Sequence, residues 1–285
     1  MASVSIPLRA LSSGYNIPAI GLGVYQSADA ETIVYEALKK GYRLVDTAQE
    51  YGNEAATCRG ISKFLKETGT NRREVFYTTK LDDATGGYEG TMQLAEARLA
   101  EARKGGIDYI DLLLIHAPFS KSPYTETRLA AWKALTELVD GGAIRSIGVS
   151  NYGVKHLKEF WDADVKYKPV LNQVESSPWN VRQDIHDFCK SHNVIVEQYS
   201  PLCRGNRFKE PGVLKLADKY KKTPAQILIR WSLDKGMLPI PKTDNVDRLS
   251  PNLDVFDFNL TPQEVEDLQD LNSYTCYEWD PTVTK

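Results

Sequence analysis

The stretch RLVDTAQEYGNE, residues 43–54, gives the first clear indication of how this chain folds. Its apolar start ends at Asp46, as expected of a buried parallel strand that places a carboxylate at its C-terminal end. Gly52 and Asn53 then break the chain before apolar residues that recur at helical spacing between positions 55 and 65. The stretch therefore predicts a strand, a turn that carries Tyr51, and a helix, with Asp46 and Tyr51 at one edge of a sheet.

Short apolar runs alternate with longer segments of helical period along almost the whole chain. The runs are residues 20–24, 44–45, 75–79, 109–115, 144–149, 170–174, 194–199 and 237–240. Such alternation predicts an α/β fold in which parallel strands are joined by helices, and eight strands in roughly 240 residues match a (β/α)8 TIM barrel.

Two features lie outside this repeat. Residues 5–17 have the pattern of a β-hairpin, which we expect at the bottom, N-terminal end of the barrel. Two helical patterns, 213–220 and 224–233, lie between the last two strands, and Thr223 followed by Pro224 predicts the start of the second. No linker or change in composition separates parts of the chain, so we expect one domain over residues 1–285.

Charge and hydropathy exclude several classes of protein. The formal net charge is −3, without the dense basic patch of a nucleic-acid binder. No run of about 18 apolar residues predicts a membrane span, and the start of the chain lacks the features of a secretion signal. We expect a monomeric cytoplasmic protein whose partner is a small molecule, not a nucleic acid or a membrane.

The cysteines and histidines give no metal or disulfide pattern. Cys58, Cys189, Cys203 and Cys276 are scattered without a C-x-x-C spacing, and none of the 4 histidines pairs at the i, i+4 spacing of a helical metal site. We therefore expect reduced cysteines and no bound metal. Gly21 and Gly23 are not followed by the third glycine of a Rossmann fingerprint, so a dinucleotide would have to bind in another way.

Polar side chains follow the predicted strands where each one ends. In a (β/α)8 barrel the reactive site lies at these C-terminal ends, because the following loops meet there. The polar residues at this edge are Asp46, Lys80, His116, Ser150, Asn151, Gln173, Tyr199, Ser200 and Lys242.

Asp46, Lys80, His116 and the nearby Tyr51 form a plausible proton-donating set. A buried ammonium held by Asp46 would stabilise tyrosinate, so we expect the pKa of Tyr51 to lie below its ordinary value of about 10. Tyr51 would then act as a general acid, and His116 would orient a substrate oxygen by a hydrogen bond.

The same motifs resemble those of the aldo-keto reductases, in family order from residue 14 to residue 279. They are 43–48 with 51–54, 79–80, 113–116, 148–151, 172–175, 199–202 and 240–242. The resemblance implies that NADPH reduces an aldehyde or ketone by hydride transfer. It further implies that Tyr51 supplies the proton, that Lys80 and Asp46 tune Tyr51, and that His116 orients the carbonyl.

The resemblance also implies a cofactor site. Ser150, Asn151 and Gln173 would hold the nicotinamide carboxamide, Tyr199 would stack on the ring, and backbone near Ser200 and Leu202 would bind the pyrophosphate. The residues expected at the 2′-phosphate and adenine are Lys242, Thr243, Arg248 and Asn252. A dianionic phosphate suits these cations and favours NADPH, whereas Asp244 and Pro251 depart from the family pattern and leave NADH as a weaker alternative.

The substrate pocket and two other functions remain open at this point. Residues expected to line the pocket are Tyr25, His116, Phe119, Trp179 and also Trp279. The first alternative is a nicotinamide-binding regulator without catalysis on the same fold. The second is a barrel hydrolase or isomerase, which would need either a second acid at the same edge as Asp46 or a phosphate-binding loop after the seventh strand of the barrel.

Overall fold

Eight parallel strands form one sheet in which each strand pairs with the next in chain order. The structure is a computed structural model and describes residues 5–285. The strands are β1 Leu8–Ala10, β2 Asn16–Pro18, β3 Leu22–Gly23, β4 Leu44–Asp46, β5 Phe76–Leu81, β6 Ile110–Ile115, β7 Ile144–Ser150, β8 Leu171–Glu175, β9 Ile195–Tyr199 and β10 Leu238–Pro239. The parallel sheet consists of β3 to β10, close to the predicted runs.

The two ends of this sheet meet, which closes the barrel. The amide of Gly21 donates to the Pro239 carbonyl at 3.1 Å, and the amide of Gly23 donates to the Pro241 carbonyl at 3.2 Å. Glycine suits this junction, because a Cβ at Gly21 would lie 2.6 Å from Leu44 Cγ. The predicted (β/α)8 barrel is confirmed.

Helices cover the outside of the sheet between successive strands. They are α1 Ala30–Lys39, α2 Glu54–Thr68, α3 Gly87–Lys104, α4 Tyr124–Asp140, α5 Val154–Asp162, α6 Gln183–Ser191, α7 Pro211–Tyr220, α8 Pro224–Asp234, α9 Val246–Leu253 and α10 Pro262–Leu268. Thr223 caps α8 through a capping box, with Pro224 in the first turn, as predicted. Within residues 5–285, no helix is long and apolar enough to cross a membrane.

The predicted N-terminal hairpin is also present. Strands β1 and β2 pair antiparallel, with Leu8 opposite Pro18. Leu11 and Ile17 of the hairpin are buried in a cluster with side chains from the inside of the barrel, among them Leu44 and Phe76 near the starts of their strands. The hairpin thus closes the end of the barrel opposite to the C-terminal ends of the strands.

We predict that shortening the buried side chain of Ile17 in the hairpin destabilises the whole barrel. Ile17 is fully buried, so Ile17→Ala should lower the free energy of unfolding by about 2–4 kcal/mol, measured by urea denaturation. Leu8→Ala is the matched control because Leu8 is 63% exposed, and its effect should be below about 0.5 kcal/mol. Equal losses in the two variants would contradict a closing role for Ile17.

Candidate active site

The four residues predicted to form a proton-donating set lie together at the C-terminal end of the barrel. Asp46 is the last residue of β4, Lys80 lies near the end of β5, and His116 directly follows β6. These three strands are neighbours in the sheet, which explains why residues so far apart in sequence meet. Tyr51 reaches the group from a short 3-10 turn, Gln49–Tyr51.

Side-chain hydrogen bonds hold the loop that carries Tyr51. The Thr47 hydroxyl donates to Asn53 Oδ1 at 2.6 Å, and Asn53 Nδ2 donates to the Val24 carbonyl at 2.9 Å. Gly52 ends the turn with φ of 65°, a left-handed conformation that favours glycine. The Thr47 amide also donates to the Thr78 carbonyl of β5 at 3.0 Å. The loop between β4 and α2 is therefore attached on the sides of both β3 and β5, which fixes the position of the phenol.

Lys80 is the centre of the group. Its ammonium donates to Asp46 Oδ1 at 2.7 Å, to the Thr47 carbonyl at 2.8 Å and to the Tyr51 hydroxyl oxygen at 3.3 Å. The side chain is fully buried, so each of its three N–H donors needs a partner inside the protein, and each has one.

The structure contradicts the expected direction of the Tyr51 pKa. Burial, followed by the negative charges of Asp46 and Glu50, raises the pKa of the Tyr51 phenol well above its ordinary value. The expected lowering by Lys80 was wrong, because the loss of water around the phenol and the carboxylates beside the ammonium both disfavour the phenolate. At neutral pH the phenol therefore carries the proton that a general acid has to donate.

His116 is held as a neutral imidazole. Burial, and then the charge of Lys80, lowers the pKa of His116 to about 3. The Tyr51 and His116 rings are 5.8 Å apart between centroids, and they meet edge to face. A neutral histidine carries one ring N–H and can donate it to a substrate oxygen, while the phenol lies close enough to reach the same atom.

A second set of polar side chains lies at or near the C-terminal ends of β7, β8 and β9. The Ser150 hydroxyl donates to the Gln173 carbonyl at 2.9 Å, and the Tyr199 hydroxyl donates to Asn151 Oδ1 at 2.9 Å. Asn151 Nδ2 donates to the His116 carbonyl at 2.9 Å and so connects this group to the first. The structure thus brings together Ser150, Asn151, Gln173 and Tyr199, as the sequence predicted.

Glu197 belongs to the same network, and sequence reasoning missed it. Gln173 Nε2 donates to Asp46 Oδ2 at 2.9 Å and to Glu197 Oε2 at 2.6 Å. Burial, followed by the charge of Asp46, raises the pKa of Glu197 to about 8. The sequence does contain an indication of this role, because Glu197 lies inside the apolar run 194–199. An acid in a buried strand needs hydrogen-bonding partners, which predicts a polar network around it.

A cleft of about 540 Å³ opens beside these groups. Its lining includes the predicted residues Tyr25, Asp46, Tyr51, His116, Gln173, Tyr199, Ser200, Leu202, Lys242 and Trp279, and also Gly23, Gln26, Glu50, Pro201, Arg204, Ile240 and Glu278. Charged residues at the mouth, such as Glu50 and Arg204, were not predicted, because they lie in loops without a strand or helix pattern.

Two predicted substrate residues lie outside this lining. Trp179 is buried in the apolar core, and the Arg207 guanidinium lies 5.0 Å from its ring centroid. The structure therefore does not place Trp179 at the substrate cleft. Phe119 does not line the cleft either, but its ring packs edge to face against that of Trp279, with 5.6 Å between ring centroids.

The residues predicted for the adenosine end of a cofactor lie at and beyond the cleft mouth. Lys242 lines the cleft and forms an ion pair with Asp244, whose carboxylate also accepts from Ser27 Oγ at 2.6 Å. Arg248 is exposed in the first half of α9, whereas Thr243 and Asn252 are buried, and none of these three lines the cleft.

The C-terminal segment forms one wall of the cleft. The Glu175 carboxylate accepts hydrogen bonds from the backbone amides of Tyr277 at 2.6 Å and Glu278 at 3.0 Å. Glu278 also forms an ion pair with Arg204 of the loop after β9. These contacts hold Trp279 with its ring centroid 5.9 Å from that of His116.

Comparison with known proteins identifies the class to which this barrel and its cleft belong. The model of the aldo/keto reductase family matches residues 14–273, so the chain belongs to the aldo-keto reductase family. It is an NAD(P)H-dependent oxidoreductase that acts on a small-molecule substrate.

Individual relatives cover nearly the whole chain. An uncharacterised oxidoreductase of Saccharomyces cerevisiae, YJR096W, is 44% identical over 95% of this chain and 96% of its own length. The aldo-keto reductase MGS-M4 from a deep-sea metagenome library has a TM-score of 0.88 and 34% identity, covering 98% and 100% of the two chains. An aldo-keto reductase of Bombyx mori in complex with NADP has a TM-score of 0.84 and 33% identity, covering 93% and 92%.

We predict that Glu197 makes stability depend on pH. Its pKa is raised from 4.5 to about 8, so between these values the folded protein binds a proton that the unfolded chain has released. The binding of this proton contributes to the free energy of unfolding, and the contribution is fully present below pH 4.5 and is lost as pH rises through about 8. Relative to the wild type, Glu197→Gln should therefore be more stable at about pH 8 than at about pH 5.

Urea denaturation of both proteins at the two pH values measures this difference. The exposed Glu96→Gln is the matched control, and its stability relative to the wild type should be the same at both. A Glu197→Gln variant with the same relative stability at the two pH values would show that Glu197 is not held protonated.

Proposed function

We propose that this protein reduces aldehydes or ketones to alcohols with NADPH, and that Tyr51 donates the proton. The observation that carries the proposal is the position of the Lys80 ammonium, 2.7 Å from Asp46 Oδ1 and 3.3 Å from the Tyr51 hydroxyl. Asp46 holds the ammonium next to the oxygen that becomes negative when the phenol gives up its proton. The charge that develops in the reaction is therefore met by a fixed positive charge.

The residues around the phenol have complementary roles in this proposal. Tyr51 keeps its proton until a carbonyl oxygen gains negative charge, because its pKa in the resting site is raised. His116, neutral in its buried position, donates a hydrogen bond to the same oxygen and fixes its direction. The two donors together select the orientation in which the carbonyl carbon faces the second polar group.

That second group fits a nicotinamide cofactor, which supplies the hydride when bound. The side-chain amide nitrogen of Gln173 donates to both Asp46 and Glu197, so its N–H groups are engaged and its oxygen is the atom free to face the cleft. A carboxamide has the N–H donors that this oxygen needs. Ser150 and Asn151 would contact the same carboxamide, Tyr199 would stack on the ring, and Ser200 and Leu202 would contact the pyrophosphate.

The remaining cofactor residues support NADPH as the preferred form. Lys242 and Arg248 would provide positive charge for the 2′-phosphate, and Thr243 and Asn252 would complete the adenine end. Asp244 opposes this preference, because its carboxylate is paired with the Lys242 ammonium. NADH therefore remains the weaker alternative cofactor.

The two alternative functions have less support. The relatives are named as oxidoreductases and reductases, and the four proton-donating residues are assembled, so a regulator without catalysis is disfavoured. A hydrolase would need a second acid that reaches the substrate. Glu197 lies near Asp46, but it is fully buried behind Gln173 and does not line the cleft.

Tyr51→Phe should abolish most carbonyl reduction while NADPH still binds. Loss of the general acid should lower kcat by about 10²–10⁴-fold, measured as aldehyde-dependent NADPH oxidation. The affinity for NADPH, measured by the quenching of protein fluorescence, should stay close to that of the wild type. Tyr15→Phe removes an equivalent hydroxyl from an exposed tyrosine at the bottom of the barrel and is the control. Turnover like the wild type in Tyr51→Phe would refute the assigned role.

Changes at the cleft mouth should alter the choice between NADPH and NADH. Lys242→Ala and Arg248→Ala should each raise the KM for NADPH by about tenfold and leave the KM for NADH nearly unchanged, because only NADPH carries the 2′-phosphate. Asp244→Asn should act in the opposite direction, since it frees the Lys242 ammonium. Equal effects on both cofactors would show that the 2′-phosphate is bound elsewhere.

A further inference from the structure

Glu50 lies directly before Tyr51 and faces the cleft in which the carbonyl would react. Its side chain is 61% exposed and forms part of the cleft wall. One carboxylate oxygen lies 3.6 Å from Nδ1 of His116, on the substrate side of the proton-donating residues. Any substrate that reaches His116 therefore meets the negative charge of this carboxylate.

The other charges of the cleft are compensated. Lys80 is paired with Asp46, Arg204 with Glu278, and Lys242 with Asp244. Glu50 has only His116 within ion-pair distance among residues 5–285, and the low pKa of His116, about 3, leaves that imidazole neutral. Over the described chain, Glu50 is therefore the cleft-lining charge without an opposite charge beside it.

A second acid, Asp82, lies near Glu50. Asp82 follows β5, and the negative charge of Glu50 is one of the causes that raise its pKa, after burial. The two acids are therefore close enough to interact. Asp82 does not line the cleft, and the positive charge of Arg98 also acts on it, so the unpaired charge in the cleft itself is that of Glu50. A carboxylate entering the cleft beside Glu50 would meet its repulsion.

The neighbouring cleft wall is aromatic and partly exposed. The Tyr25 ring lies 4.9 Å from that of Tyr51, and Trp279 lies on the other side of His116. Tyr25 is 37% exposed and Trp279 is 38% exposed, so their faces are available to a ligand. Aromatic faces attract cations, so these rings would add to the attraction between the Glu50 carboxylate and a cationic substrate. Neither the aromatic faces nor the carboxylate attracts an anion.

We propose that Glu50 determines the substrate class: the cleft accepts carbonyl compounds that carry an ammonium or other cationic group, as well as neutral ones, and rejects those that carry a carboxylate. This inference rests on the proposed carbonyl reduction and specifies its substrate. Glu50 acts by charge alone and takes no proton in the reaction. Its effect therefore appears in the comparison of substrates that share one reacting group and differ in charge.

Three para-substituted benzaldehydes provide that comparison: benzaldehyde, 4-carboxybenzaldehyde and 4-(trimethylammonio)benzaldehyde. The ratio of kcat/KM for the cationic and the anionic aldehyde is measured in the wild type and in Glu50→Gln at low ionic strength. Intrinsic reactivity differs among the aldehydes, but it cancels when the two proteins are compared. The ratio should fall about fivefold or more in Glu50→Gln, which is the scale of a partly exposed charge pair.

Additional variants test whether charge is the cause. Glu50→Lys should reverse the preference, and Glu50→Asp, which keeps the charge, should retain most of it. Asp218→Asn removes one negative charge from an exposed position on α7 that does not line the cleft, and it should leave the ratio unchanged. Salt should weaken the preference in the wild type, since ions screen exposed charges.

The outcomes separate this inference from the function on which it rests. Reduction of benzaldehyde by the wild type, with the same cation-to-anion ratio in the wild type and Glu50→Gln, would overturn the role of Glu50 and leave the proposed function standing. Failure of the wild type to reduce any of the three aldehydes would overturn the proposed function, and the substrate class with it.

Discussion

The ion pair between Lys80 and Asp46 is the interaction on which the arrangement of the active site depends. Both side chains are buried, so the pair has lost most of its hydration and needs further hydrogen bonds to persist. Thr47 and Gln173 supply them, and each belongs to a different part of the barrel: the loop after β4 and strand β8. The residues predicted to donate the proton are therefore joined to Gln173, one of the predicted cofactor residues, through Asp46.

Most of the fold was predictable because its pattern is periodic. Apolar runs between helical segments predicted the barrel, and the turn residues predicted the hairpin and the start of α8. The lengths of the first and last barrel strands were less predictable, and β3 and β10 are shorter than the apolar runs that predicted them. The bonds of Gly21 and Gly23 that close the barrel were not visible in the sequence, because their partners are distant along the chain. That residues 1–285 form one domain, and that the protein is monomeric and cytoplasmic, stays a prediction.

The residues of the candidate site were predictable where they lie at strand ends, and they were less predictable where they lie in loops. Asp46, Lys80 and His116 follow from their positions after apolar runs, because parallel strands bring such residues together. The Tyr51 pKa was misjudged, since a sequence shows a neighbouring ammonium but not the loss of water around it. Trp179 was placed in the cleft although it is buried elsewhere, because aromatic side chains serve packing as readily as binding. Glu197 was missed, because its partners become visible only in three dimensions.

The attachment of the C-terminal segment separates two properties of the molecule. Glu175, at the end of β8, holds the backbone amides of Tyr277 and Glu278 and not their side chains. This part of the attachment does not depend on which side chains residues 277 and 278 carry, although the Glu278 side chain adds the ion pair with Arg204. A lineage with this architecture can therefore vary the cleft wall at position 279 while the segment stays attached, whereas a change at Glu50 alters the wall directly beside Tyr51.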